Sequence, residues 1–63
     1  MINADEKKRM RNIAKRWAER YSKDVSIEEY IKECFETLTG SLYGWNEEGA
    51  DYICKQIRKE LEG

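Results

Sequence analysis

Sixty-three residues, 40% charged and 40% apolar, hold one small domain: too apolar to stay disordered and too short for a second core. The net charge of −1 gives no overall pull towards nucleic acid or an anionic membrane. The lack of His, with only two Cys, removes the commonest general base and any four-ligand Cys/His zinc site built from one copy.

The first helix is predicted over 4–22. Asn3 with Glu6 has capping-box spacing, and Met10, Ile13, Ala14, Trp17 and Tyr21 recur at the 3.6-residue period that puts them on one face. A second helix is predicted over 27–39, opened by Ser26 with Glu29 and striped by Ile27, Ile31, Cys34, Phe35 and Leu38. Gly40 is placed to end it in the left-handed conformation. The third helix is predicted over 47–62, with Asn46 as cap, Glu47 and Glu48 at the positive end of the dipole, and Ala50, Ile53, Cys54, Ile57 and Leu61 inward. Lys55, Arg58 and Lys59 suit its C-terminal half.

Short connections make neighbouring helices antiparallel. In that arrangement the three stripes fall into register as Met10/Leu38/Ala50, Ile13/Phe35/Ile53, Ala14/Cys34/Cys54, Trp17/Ile31/Ile57 and Tyr21/Ile27/Leu61. The expected fold is therefore all-α, an up-down-up three-helix bundle forming a single domain over 1–63, with the first two helices facing each other along their length. The turn direction of the third helix is left open by the pattern. Such a core is minimal, and its burial barely offsets the ordering of the chain, so a homo-oligomer or a tight partner is expected to complete it.

Two surfaces stand out. Residues 1–24 carry eight Lys and Arg against four Asp and Glu, whereas 25–63 carry four against nine, so the molecule is a charge dipole along its sequence. On the first helix Arg9, Arg16, Arg20 and Lys23 share one lateral sector, the arrangement that tracks phosphates. The plainer expectation is a solvated face whose flanks meet acidic residues, Glu28 and Glu33 lying near Arg20 and Lys15. The other surface is the loop Gly40-Ser41-Leu42-Tyr43-Gly44-Trp45, where large apolar and aromatic residues sit between glycines. Leu42 and Trp45 are expected to fold back as a lid over the small Ala50, leaving Tyr43 exposed; Tyr43 with Tyr30, Tyr52 and Trp45 then makes an aromatic surface of the kind that dominates interfaces.

Cys34 and Cys54 fall in one layer, where a disulfide is geometrically conceivable, but two inward positions without a secretion signal are expected to hold free thiols. The carboxylates Glu28, Glu29, Glu33, Glu36, Glu47, Glu48 and Asp51 show no calcium-loop spacing and read as solvated helix faces. No catalytic, cofactor-binding or metal residues are assigned. The expected function is a non-enzymatic helical protein-interaction module, a regulator or inhibitor docking on a larger protein. The alternative is a nucleic-acid-associated module using Arg9, Arg16, Arg20 and Lys23; a membrane-surface helix around Trp17 ranks third, because Trp17 has a place in the core. No apolar run nears the roughly 18 residues of a membrane span, and the opening Met1-Ile2-Asn3-Ala4-Asp5-Glu6 has no leader character, so a cytoplasmic location is expected.

Overall fold

Each helix begins where a side-chain oxygen takes up a backbone N–H that the first turn leaves without a partner. Asn3 Oδ1 accepts from Glu6 N at 2.8 Å, Ser26 Oγ from Glu29 N at 3.2 Å and Asn46 Oδ1 from Gly49 N at 2.8 Å. The computed structural model describes residues 3–63, Met1 and Ile2 lying outside the described residues. It contains α1 (Ala4–Glu19), α2 (Ile27–Thr39) and α3 (Glu47–Glu62), a compact all-α three-helix bundle. The second and third helices match their predicted spans.

The first helix is shorter than its stripe predicts, and Tyr30 supplies a reason. Its hydroxyl, from the first turn of α2, donates to the Trp17 carbonyl, one of the last four in α1 that have no intrahelical partner. Arg20 N donates to the same oxygen at 3.1 Å, and the chain then leaves the helix axis through a Ser22–Asp24 turn. Tyr21 and Lys23 therefore lie beyond α1. Tyr21 is half-buried, donates to Val25 O at 2.6 Å and tilts its ring against Tyr30 at a centroid distance of 5.1 Å.

The expectation that the first two helices face each other along their length is corrected. The third helix packs on both α1 and α2, which scarcely touch each other directly. Gly49 and Ala50, both buried at the start of α3, are small enough to allow that close approach. Along α3, Ala50, Ile53, Cys54 and Ile57 are buried, joined by Met10 and Ala14 of α1 and by Cys34 and Leu38 of α2. Ile13, Trp17, Ile31, Phe35 and Leu61 are half-buried and pack around this cluster. The Cα atoms span 34 × 26 × 14 Å, a slab so thin that one stripe per helix is all it can enclose.

Gly40 is not left-handed: at φ −69° and ψ 168° it is extended, and the positive φ of 70° belongs to Gly44. Two hydrogen bonds fold the loop back onto the end of α2, from Gly44 N to Gly40 O at 2.8 Å and from Trp45 N to Leu38 O at 3.0 Å. This closure places the Trp45 ring against Gly49, which the Met10 side chain also approaches.

Candidate docking site

Because α1 and α2 diverge, a gap opens between them, and the 40–46 loop only partly fills it. Trp45 packs against the core as expected of a lid. Leu42 does not: it is 86% exposed, since the loop closes through Trp45 N and turns the Leu42 side chain outward. Tyr43, 48% exposed, sets its ring edge-on to Trp17 at a centroid distance of 5.7 Å and an interplanar angle of 70°. The two aromatic rings thus bridge the loop to α1.

Two clefts flank this bridge. The smaller, about 230 Å³, is lined by Ile13, Arg16, Trp17 and Arg20 of the α1 segment, by Leu38 of α2, and by Tyr43 and Trp45. The larger, about 410 Å³, has Tyr43, Gly44 and Trp45 along one side and Glu6, Arg9 and Met10 with Asn46, Glu48 and Gly49 around the rest. Arg9, Arg16 and Arg20 therefore face the aromatic loop, and the cationic sector and the aromatic segment form one surface. Lys23 lies in the turn past the helix and lines neither cleft.

The aromatic surface expected from Tyr43, Tyr30, Tyr52 and Trp45 is only partly assembled. Tyr43 and Trp45 share both clefts, whereas Tyr30 and Tyr52 are half-buried against the core and line neither. Tyr30 is a structural residue that caps α1. Trp17, which the periodicity placed only in the core, both packs on the core and lines the smaller cleft. Its heptad-like spacing from Met10 masks the second role.

The expected pairing of Glu28 with Arg20 and of Glu33 with Lys15 is not formed. Among the described residues the one salt bridge is Lys55–Asp51, 3.1 Å, on the outer face of α3. Arg9, Arg16 and Arg20 are exposed and make no ion pair among the described residues. Being at the C-terminal end of α1, Arg16 and Arg20 also meet the negative pole of its dipole.

Cys34, Cys54 and the half-buried Tyr30 form a small cluster of weak acids. Cys34 and Cys54 are free and buried, and the Cys54 thiol donates to Ile31 O at 3.8 Å. Burial pushes the Cys54 thiol up to about 11, with the neighbouring Cys34 and Asp51 adding to it. Cys34 is raised for the same first reason, desolvation. Tyr30 is pushed up to about 12, chiefly by burial, with Cys34 and Glu33 adding to the shift and Arg20 opposing it. All three groups are protonated at neutral pH, which makes the thiols poor nucleophiles. Among the described residues no helix is long and apolar enough to cross a membrane, and no three His, Cys, Asp or Glu side chains are grouped to hold a metal ion.

Comparison with protein-family models, with curated proteins and with solved structures finds no match to this chain.

Proposed function

We propose that this protein is a non-catalytic interaction module that docks on a larger protein through the surface made by Trp17, Tyr43, Trp45, Arg16 and Arg20. The observation that carries the reading is the convergence of three aromatic residues and two unpaired arginines around one cleft. Trp, Tyr and Arg dominate the energetics of protein interfaces, because each combines large contact area with a directional polar group. A rim of exposed arginine around half-buried aromatic residues has the anatomy of such a contact. Regulation or inhibition of that partner is the role this reading assigns to the docking.

The test is affinity capture with the purified full chain, run beside Tyr43→Ala and Arg16→Glu/Arg20→Glu. The reading expects polypeptides retained by the wild type and lost with either variant, while helicity stays intact because all three positions are exposed. Retention that is indifferent to Tyr43 contradicts it.

A second reading, nucleic-acid association, draws on the placement of Arg9, Arg16 and Arg20 beside the exposed Tyr43 ring, the combination of cation and stacking platform that single strands use. It expects binding of labelled DNA or RNA that weakens steeply between about 50 and 200 mM salt. Arg16→Glu/Arg20→Glu abolishes that signal if the reading holds.

A further inference from the structure

The cleft between α1 and the 40–46 loop is selective in a way that narrows its occupant. At about 230 Å³ it is below the roughly 300–1,000 Å³ of small-molecule and cofactor sites, so it suits one inserted side chain. Its walls are Ile13, Trp17, Leu38, Tyr43 and Trp45, and the charged groups at its edge are Arg16 and Arg20 alone. No carboxylate lines it. The two arginines are four residues apart, hence neighbours on one helix face, and neither has an ion-pair partner among the described residues.

We propose that this cleft receives one apolar side chain from an acidic segment of a partner protein, whose flanking carboxylates pair with Arg16 and Arg20. Planar guanidinium groups match carboxylates in bidentate geometry, and an apolar anchor between them fills the space that the diverging helices leave. The positive balance of residues 1–24 steers such a segment to the α1 side of the molecule. A polyphosphate chain is the poorer fit. To continue along α1 towards Arg9 it must enter the larger cleft, where Glu6 and Glu48 repel it.

The inference rests on the docking reading above, and its test separates the two. Random peptides of about twelve residues, displayed on phage, are selected against the immobilised full chain, a length sufficient for an anchor and its flanks. Recovered peptides are then titrated by intrinsic fluorescence, since both tryptophans of the chain line the cleft. The expected result is enrichment of Asp and Glu around a single Leu, Ile, Phe or Trp, with affinity about tenfold weaker for Arg16→Gln/Arg20→Gln. Enriched peptides that are neutral or basic, yet lose binding with Tyr43→Ala, overturn the acidic occupant and leave the docking surface standing. No enrichment at all, or binding only of an oligo-dT strand of about 20 nucleotides, overturns both.

Discussion

Replacing Gly49 by Ala adds one methyl group where the core meets the larger cleft, directly beneath the Trp45 ring. A Cβ on Gly49 would stand 2.9 Å from Trp45 Cε3, 3.2 Å from Asn46 Oδ1 and 3.4 Å from Met10 Cε. The Met10 side chain is flexible and yields at little cost. The Trp45 ring is rigid and its backbone is fixed by the amide hydrogen bond from Trp45 N to Leu38 O, and Asn46 Oδ1 is already holding Gly49 N, so these two resist. Overpacking of this kind costs about 1–3 kcal/mol, against which Ala gains up to about 1 kcal/mol over Gly in helix propensity. From the middle of that overpacking range, about 2 kcal/mol, the net expectation is a loss of about 1 kcal/mol, or roughly 4–8 °C in melting temperature for a domain of this size. Thermal unfolding followed by circular dichroism at 222 nm reads it directly. A melting temperature equal to or above that of the wild type would refute the reasoning, because it would mean that the indole is free to swing away and does not anchor the loop.

Tyr30→Phe removes the hydroxyl that caps the Trp17 carbonyl and is expected to cost about 1 kcal/mol in urea unfolding, with no effect on partner capture. An unchanged midpoint would show that the Arg20 amide suffices as the cap. Alkaline stability follows from Cys54 and Tyr30. Between the ordinary thiol value of 9.0 and about 11 the unfolded chain releases the Cys54 proton while the folded chain keeps it, so the folded state binds more protons and stability falls as pH rises. Tyr30 extends the decline from 10.0 to about 12. Melting temperatures that hold below this window and drop within it, with a shallower drop for Cys54→Ala, are the expected pattern; identical slopes in the two proteins would contradict it. The same burial predicts that a thiol-specific disulfide reagent labels Cys34 and Cys54 slowly in the native protein and at once in guanidinium.

Where a helix boundary is set by its own residues, it was legible in the sequence. Ser26 and Asn46 are local signals, and α2 and α3 start where those signals place them. The end of α1 depends on Tyr30, thirteen residues from the carbonyl it caps, and nothing in the first stripe carries that information. The loop glycines show the same division. Both Gly40 and Gly44 are free to take positive φ, and the Trp45 N to Leu38 O hydrogen bond, a property of the folded loop, accompanies the choice of Gly44.

Core membership was legible in part: the eight buried core residues all lie at helical period, but Tyr21 and Ile27, predicted inward in the layer with Leu61, stand outside the core cluster because α1 ends before Tyr21. The arrangement of the helices was not, because antiparallel stripes of equal period align with either neighbour. The small residues Gly49 and Ala50 favour α3 as the helix that touches both others. That placement also explains why the cationic sector and the aromatic loop looked like separate surfaces. They meet only because α1 and α2 diverge, and Trp17 stands at the edge of the resulting gap.

The most direct measurement of the central claim is chemical-shift mapping of the ¹⁵N-labelled chain on titration with a peptide recovered by the selection. The account predicts that the indole N–H signals of Trp17 and Trp45 and the backbone signals of Tyr43 and Gly44 move most, while Lys55, Arg58 and Lys59 on the far side of α3 stay still. Shifts centred on α3 or on the acidic face of α2, with both indoles unmoved, would contradict it.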